Sequence, residues 1–172
     1  LVSEDDKSGY SYKNRVDPSL HLARPKDKNG KWKTPFDRLD THNQGFIEGN
    51  SWKYSFYVPH DVNGLMQERG GEKRFVQRLD SLFTMTLPAK YFENTEDINE
   101  QGLMGNYVHG NEPSHHVAYL YAWTNEPWKM QYRLHEIMNK MYKNKPDGLC
   151  GNDDCGQMSA WYIFSSMGFY PV

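Results

Sequence analysis

The segment that decides the fold is residues 113–142, PSHHVAYLYAWTNEPWKMQYRLHEIMNKMY. Proline is favoured in the first turn of a helix, so the two prolines predict helices over 113–123 and 127–142. Thr124-Asn125, which lies between them, is typical of a turn and a cap. Two helices joined by so short a link form an antiparallel hairpin, and this segment therefore indicates a mainly helical protein.

Weaker patterns on both sides extend this prediction. Apolar residues recur at helical spacing over 62–84, where Gly70-Gly71 predicts a division into two helices, and a last helix is expected over 157–167. Residues 1–45 predict irregular structure with short strands, and 85–112 predicts a polar loop. Consecutive helical hairpins with long loops at one end favour an α/α toroid, although the pattern alone supports only a mainly helical fold.

Composition limits the classes of partner. The formal net charge of the 172 residues is −2 and the pI is about 6.4, with cations spread along the chain, which gives no electrostatic reason to expect nucleic acid or an anionic membrane. No apolar run approaches the roughly 20 residues of a membrane helix. Aromatic residues make up 15% of the chain, which suits stacking on sugars and equally suits a large helical core. Because the chain lacks an initial Met and ends in an apolar run, we expect a segment of a longer protein.

The two cysteines are expected to be free. Cys150 and Cys155 are five residues apart, a spacing that matches no common zinc pattern. Two cysteines also do not make a disulfide scaffold. We predict free, buried thiols, with a disulfide across the loop as the alternative.

Glu48 is the first candidate for chemistry. It lies in FIEGNSWKY (46–54), close in sequence to Trp52 and Tyr54. A carboxyl group that packs against aromatic rings loses hydration, so its neutral form is favoured and it can act as a general acid. The alternative is a glutamate that accepts hydrogen bonds from neighbouring backbone N–H groups.

A second candidate group precedes the helix that is predicted to begin at Pro113. Asn111 and Glu112 offer oxygen atoms of the kind that calcium prefers, although both residue types also favour the start of a helix as caps. The neighbouring His115 and His116 point about 100° apart on a helix and cannot easily chelate one metal. We expect one of them to pack in the core.

The third candidate is GNDDCG (151–156), in which two aspartates flanked by glycines precede a helix. Asp153 and Asp154 repel each other unless a cation or a helix dipole offsets their charge. The segment therefore predicts a metal site, or one aspartate at the cap and the other in a site. The EF-hand pattern is absent. The alternative is a capped helix start with a surface aspartate.

The three segments, in this order, resemble glycoside hydrolase family 92, the calcium-dependent inverting α-mannosidases that act on glycans. The resemblance extends from about residue 10 onward and is carried by EGNxWxY and PHD (48–54, 59–61), GNEPSHH (110–116) and GNDDxGQMSAWY (151–162). It implies an (α/α)6 barrel, with residues 1–172 as a C-terminal portion. The family's N-terminal β-sandwich domain is absent from this chain, so we expect the segment alone to be inactive.

The resemblance also implies roles for residues. Glu48 matches the general acid, Asp154 the general base and Asn152 a position that assists the base. Calcium, which grips O2 and O3 of mannose in this family, is assigned to Asn111 and Glu112, with Asp153 as a further candidate. Substrate contacts are assigned to Trp52, His60, Asp61 and His115.

The resemblance sets the expected biology as well. The partner is a mannose-containing glycan, and family habit points to an exported bacterial protein. Two alternatives stay open: a calcium-dependent carbohydrate-binding relative without turnover, and another α/α-toroid glycosidase that has no need for calcium.

Overall fold

The computed structural model describes residues 8–91 and 102–171. Its α-helices are α1 (Ser51–Tyr54), α2 (Val62–Glu68), α3 (Glu72–Thr84), α4 (Trp128–Met141) and α5 (Gln157–Ser166). Short 3-10 helices lie at Ser11–Arg15, Ala89–Tyr91, Glu112–Ser114 and Val117–Trp123. Two antiparallel pairs of short strands complete the described elements: β1 (Val16–Asp17) with β2 (Leu22–Ala23), and β3 (Leu103–Met104) with β4 (Tyr107–Val108). The prediction of a mainly helical protein is confirmed.

Two glycines divide α2 from α3, as the sequence predicts. Gly70 and Gly71 both have φ of +89°, a left-handed conformation that glycine adopts without the steric cost of a Cβ atom. Beyond them, α3 buries one face in the core through Phe75, Val76, Leu79, Leu82 and Phe83. The wide apolar stripe of this helix explains why its position could be predicted from spacing alone.

The segment before Trp123 is helical but is not an α-helix. Residues Glu112–Ser114 and Val117–Trp123 form 3-10 turns, and Pro113 is the second residue of the first turn rather than the residue that opens a helix. Every residue from 117 to 121 is buried, so this segment has no solvent-facing side and packs tightly against α4. The bounds of α4 agree with the prediction to within one residue.

The predicted loop 85–112 contains more structure than its polarity indicated. The β3–β4 hairpin turns at Gly105, where φ is +64° and an added Cβ would lie 2.4 Å from the Leu82 carbonyl oxygen. The backbone N–H of Asn106 donates to that same carbonyl at 2.7 Å, which fastens the hairpin to the end of α3. Residues 92–101 of the predicted loop lie outside the described residues.

Helix α5 has the least one-sided burial of the longer helices. Met158 and Trp161 are fully buried in the core. Its other faces expose large apolar side chains, namely Tyr162, Ile163 and Phe164, with Met167 and Phe169 beyond its end. The helix ends at Ser166, and Gly168 follows with φ of +87°, which agrees with the predicted last helix.

Candidate active site

Two clefts meet at Glu112 and Asp154, and together they bring the three sequence motifs into one place. The smaller cleft has a volume of about 420 Å³ and the larger one about 690 Å³. Glu48, Asn111, Glu112, Asn152 and Asp154 line the smaller cleft, with Val108, Gly110, Leu149, Cys150 and Gly151. Tyr57, Pro59, Glu112, Pro113, His115, His116, Asp154, Gln157, Tyr170 and Pro171 line the larger cleft.

Glu48 is held in a turn directly before α1. Gly49 has φ of +62°, and Asn50 then caps α1 by accepting the backbone N–H of Lys53 at 3.2 Å. Tyr54 donates its hydroxyl to Glu48 Oε1 across a long 3.4 Å hydrogen bond. The expectation that Glu48 lies beside an aromatic residue of its own motif is therefore confirmed for Tyr54.

A buried pair of amides anchors the Glu48 turn to the rest of the fold. Asn50 Nδ2 donates to Asn106 Oδ1 at 3.0 Å, and Asn106 Nδ2 returns a bond to Asn50 Oδ1 at 3.3 Å. Both residues are buried, so each amide depends on the other for its hydrogen bonds. This pair joins the segment that carries Glu48 to the β3–β4 hairpin, which is followed by the segment that carries Asn111 and Glu112.

Asn111 and Glu112 place two oxygen atoms in the site without a donor. Asn111 occupies the cap position of its turn, yet its side chain makes no capping hydrogen bond. Within the described residues, Asn111 Oδ1 and Glu112 Oε1 are buried and have no hydrogen-bond partner. An orphaned buried acceptor costs about 1–3 kcal/mol. Capping does not explain these two side chains, and a ligand that offers positive charge would.

The charge environment of Glu112 also favours a positively charged ligand. Burial raises the pKa of its carboxyl group, and a hydrogen bond to Asp154 adds to that effect. The negative charges of Asp154 and Glu48 raise the pKa of Glu112 further. Three carboxyl groups therefore act on one another here, and a cation would relieve their repulsion.

The two aspartates of the third motif have different roles. Asp153 Oδ1 accepts the backbone N–H and the hydroxyl of Ser159, both at 2.9 Å, and so fastens the start of α5. Asp154 is exposed and lines both clefts. Asp153 therefore stabilises the start of α5, although Gly156 rather than an aspartate occupies the predicted cap position.

Asp154 lies in a strained turn. Asp154, Cys155 and Gly156 have φ values of +45°, +59° and +91°, so three successive residues adopt the left-handed conformation. That conformation costs roughly 1–2 kcal/mol for a residue with a Cβ atom. Strain of this kind is characteristic of functional sites, where the surrounding structure holds a side chain in place.

The two neighbouring histidines are both buried, whereas the sequence predicts packing for one. His115 donates from Nε2 to the carbonyl of His109 at 2.9 Å, and its Nδ1 is 3.2 Å from Gln157 Nε2. Burial lowers the pKa of His115 to about 4. His116 bonds through Nε2 to the Phe56 carbonyl at 2.8 Å, and burial lowers its pKa as well. Both rings line the larger cleft as neutral groups.

His109 lines neither cleft but packs against His115, with ring centroids 5.1 Å apart. The Tyr142 hydroxyl donates to the Met158 carbonyl at 3.0 Å, so it accepts from His109 Nε2 at 2.7 Å. His109 Nδ1 then accepts from the Tyr107 hydroxyl at 2.8 Å, and its ring packs edge-on against Trp161, with centroids 4.4 Å apart. Burial keeps His109 uncharged by lowering its pKa well below the usual range.

Three residues expected to contact substrate lie away from the two clefts. Trp52 is buried in the core beneath Arg78. Asp61 caps α2 by accepting the backbone N–H of Gly64 at 2.9 Å, and it also accepts the Tyr12 hydroxyl. His60 bonds through Nε2 to the Gly9 carbonyl at 2.6 Å. Local structure explains their positions in the motif, and of the four predicted substrate contacts only His115 lines a cleft.

Sequence reasoning missed the aromatic walls of the larger cleft. Tyr57 is 52% exposed and packs edge-on against His116, with ring centroids 5.5 Å apart. Tyr170 stacks on Tyr119 at 5.2 Å, and its hydroxyl accepts from Gln157 Nε2 at 3.0 Å. Tyr57 and Tyr170 flank recognisable motifs, but no spacing in the sequence shows that they share a cleft.

Both cysteines are free, as predicted. The expectation of burial is wrong for Cys155, which is exposed in the strained turn. Cys150 is half-buried at the edge of the smaller cleft, and burial raises the pKa of its thiol to about 11. The turn that carries Asp154 points Cys155 outward, which the apolar character of cysteine did not indicate.

The described residues supply an incomplete set of metal ligands. Across 8–91 and 102–171, no three His, Cys, Asp or Glu side chains are grouped to hold a metal ion. The orphaned oxygens of Asn111 and Glu112 are hard donors of the type that calcium takes, but calcium has six to eight oxygen ligands. These oxygen donors suit calcium, and most of the calcium coordination shell would come from other groups.

Comparison with protein families identifies the motifs. The glycosyl hydrolase family 92 catalytic domain matches residues 5–172. A protein of Arthroderma benhamiae that is described as an uncharacterized secreted glycosidase is 30% identical over 136 residues. That match covers 79% of this chain and 15% of the relative.

Solved structures agree with this match. A family GH92 α-mannosidase of Bacteroides thetaiotaomicron is 48% identical, with a TM-score of 0.82, over 94% of this chain and 21% of that protein. The same mannosidase has been solved in complex with mannoimidazole. A GH92 protein of the same organism, described as an inverting mannosidase, is 39% identical, with a TM-score of 0.78, over 96% of this chain and 23% of its own. The chain therefore spans about a fifth of the length of these relatives.

Proposed function

The chain belongs to glycoside hydrolase family 92, and we propose that it is a segment of an enzyme that removes terminal α-linked mannose from glycans with inversion. One observation carries this proposal: Glu48 and Asp154, which lie 106 residues apart in sequence, line the same cleft. Inverting glycosidases use a pair of carboxyl groups, one as acid and one as base. The relatives whose names describe α-mannosidases support mannose as the sugar.

Glu48 is proposed as the general acid. In the reaction it gives its proton to the glycosidic oxygen as the bond between that oxygen and C1 breaks, and the bonding electrons leave with the oxygen. The Tyr54 hydroxyl donates to Glu48 Oε1. The turn is half-buried, and the Tyr54 ring that carries this hydroxyl is stacked on Phe46.

Asp154 is proposed as the general base. It takes one proton from a water molecule whose oxygen attacks C1 from the face opposite the leaving group, and the products are β-mannose and the free alcohol. Asp154 is exposed, so water can reach it. Asn152 lines the smaller cleft beside Asp154 and is proposed to assist the base by orienting it.

Asn111 and Glu112 are proposed to hold calcium. Their buried oxygens have no donor among the described residues, and an ion there would also offset the repulsion among the three carboxyl groups. Bound calcium would supply a positive charge that orients the sugar hydroxyls and favours distortion of the ring. Asp153 accepts two hydrogen bonds from Ser159 and is not included in this set.

The wider architecture of the enzyme is proposed from the same family membership. We propose that residues 1–172 form a C-terminal portion of an (α/α)6 barrel, with the β-sandwich domain outside this chain. The exposed apolar side chains of α5 support this arrangement, since a further barrel helix would cover them. Among the described residues, no helix is long and apolar enough to cross a membrane. The relative named as secreted supports an exported enzyme.

The proposal is tested on the full-length protein with an aryl α-mannoside and with α-linked mannobiose. EDTA treatment should abolish hydrolysis of both substrates, and added Ca²⁺ should restore it. Activity that persists after chelation would contradict the calcium assignment. An absence of mannose release with calcium present would contradict the function and would favour a binding protein without turnover.

A further inference from the structure

We infer that Gln157 is a catalytic residue that holds the attacking water together with Asp154, an inference that rests on the function proposed above. Gln157 is the first residue of α5 and lines the larger cleft with Asp154. Its backbone N–H bonds to the Asp154 carbonyl at 3.2 Å. The strained turn that presents Asp154 therefore also fixes the starting position of Gln157.

A chain of hydrogen bonds sets the orientation of the Gln157 amide. The His109 carbonyl can only accept, so His115 must carry its proton on Nε2 to make the 2.9 Å bond. His115 is buried and its pKa is lowered, so the ring is neutral and Nδ1 is an acceptor. Gln157 must then turn its NH₂ group, rather than its carbonyl, toward His115 at 3.2 Å.

The same NH₂ group completes its bonding with Tyr170. Gln157 Nε2 lies 3.0 Å from the Tyr170 hydroxyl, so both of its protons have acceptors in the wall of the cleft. Oε1 receives no hydrogen bond from any described residue and is not among the buried, unpartnered atoms. Gln157 therefore presents a solvent-accessible acceptor of fixed orientation in the larger cleft.

The position of the larger cleft makes water the appropriate ligand for this acceptor. Glu48 lines only the smaller cleft, whereas Asp154 lines both. In an inverting reaction the water attacks from the face opposite the acid. The larger cleft, which Asp154 lines and Glu48 does not, provides space for that water next to the base. Asn152 lines only the smaller cleft.

Two acceptors of different basicity suit a hydrolytic water. One water proton bonds to Gln157 Oε1 and the other to Asp154, so a lone pair of the water oxygen is left to face C1. The amide carbonyl is too weak a base to take a proton, so the proton passes to Asp154 when the C1–oxygen bond forms. Gln157 keeps its structure throughout, and its contribution is to orient the nucleophile.

The test uses Gln157→Met in the full-length protein, with Gln77→Met as the matched control. Gln77 is exposed on α3, outside both clefts. We expect kcat to fall about 100-fold in Gln157→Met with KM within about twofold of wild type, because misplacing a reacting group costs about that much. A fall in affinity without a fall in kcat would overturn the inference, since it would make Gln157 a sugar contact.

A second substrate distinguishes a role in positioning the water from a role in protonating the leaving group. Fluoride needs no proton to depart, so Glu48→Gln should hydrolyse α-mannosyl fluoride nearly as well as wild type, whereas Gln157→Met should lose about 100-fold on it. Normal hydrolysis of the fluoride by Gln157→Met would overturn the inference.

A variant of a bracing partner separates catalysis from packing. Tyr170→Phe removes one acceptor of the Gln157 NH₂ group but leaves Oε1 in the cleft, so kcat should fall by no more than about tenfold. A loss as large as that of Gln157→Met would overturn the inference and make Gln157 a brace for the cleft wall. Wild-type protein that fails to form β-mannose would instead overturn the proposed function, and with it this role for Gln157.

Discussion

The carboxyl groups proposed as acid and base, Glu48 and Asp154, lie on two turns that differ in backbone conformation and in anchoring. Glu48 lies on a turn with a single left-handed residue, Gly49, and the buried Asn50–Asn106 pair anchors it. Asp154 lies on an exposed turn with three left-handed residues in succession, and it is followed directly by α5. We call these the acid turn (residues 46–50) and the base turn (residues 151–156).

The difference suits the role proposed for each carboxyl group. The acid turn places Glu48 half-buried beside an aromatic ring. The base turn exposes Asp154 to two clefts, where water can reach it. Buried hydrogen bonds anchor the acid turn, whereas the base turn has a strained backbone.

The largest expected effect is a loss of catalytic activity, and the substrates on which activity is lost should differ between variants of the two turns. Glu48→Gln and Asp154→Asn should each lower kcat/KM on mannobiose by about 10³-fold, because each removes one proton transfer. Only Asp154→Asn should also lose activity on α-mannosyl fluoride. Steady-state kinetics on the two substrates measures both effects.

The control for these variants is Asp147→Asn, which changes an exposed carboxyl in the turn after α4. It should leave kcat/KM within about twofold of wild type, since a surface ion pair contributes little. Loss of fluoride hydrolysis in Glu48→Gln would contradict the assignment of acid and base to these two turns.

The next effect compares how strongly the two turns are anchored. Asn50→Ala should lower the free energy of unfolding by about 3 kcal/mol, because it removes a helix cap and leaves the buried Asn106 amide without its partner. Asp153→Ala should cost about 1 kcal/mol, because it removes only the bonds to Ser159. Urea denaturation of the full-length variants measures both values, and equal losses would contradict the difference in anchoring.

Stability should also depend on pH through two buried histidines, His115 and His116. The pKa of His115 is about 4 in the folded protein, against about 6.5 in the unfolded chain. Between those values the unfolded chain binds the proton and the folded protein does not, so stability is complete above about pH 6.5 and falls as pH decreases. The slope is up to about 1.4 kcal/mol per pH unit for this group, and His116 acts in the same direction.

Thermal unfolding at pH 7 and pH 5 measures this dependence. His115→Gln should reduce the slope, because glutamine does not titrate and its Nε2 reaches far enough to donate to the His109 carbonyl. A slope unchanged by that substitution would show that other groups are responsible.

The smallest effect concerns the strain in the base turn. Cys155→Gly should raise the free energy of unfolding by up to about 1 kcal/mol, because glycine removes the cost of a left-handed Cβ, and its greater loss of conformational entropy on folding offsets only part of that gain. Gly156→Ala should lower it by about 1–2 kcal/mol, since an added Cβ meets no atom within 4 Å and only the backbone cost remains. Denaturation midpoints that move in the same direction for both variants would contradict the strain.

The sequence predicts the parts of this fold that depend on local patterns. The apolar stripe of α3 and the paired glycines before it place that helix well, and the adjacent aspartates indicate the start of α5, to which Asp153 bonds although Gly156 is the cap residue. The 3-10 form of Val117–Trp123 is not predictable in this way, because the continuous burial of residues 117–121 removes the periodicity that distinguishes one helix type from another.

The site is less predictable than the fold because its walls come from distant segments. The three motifs name Glu48, Glu112 and Asp154, all of which line the clefts. Asp61 has the same residue type and a similar position before a helix, yet it is a cap. Tyr57 and Tyr170 face one cleft from positions 113 residues apart, and only tertiary structure brings them together.

The most direct test of acid and base roles is the configuration of the first product. Proton NMR during the first minutes of α-mannoside hydrolysis by the full-length, calcium-loaded protein observes the anomeric signal before mutarotation mixes the two forms. With Glu48 as acid and Asp154 as base, β-mannose should appear first and α-mannose should follow slowly. Initial formation of α-mannose would contradict single displacement and, with it, the roles assigned to the two turns.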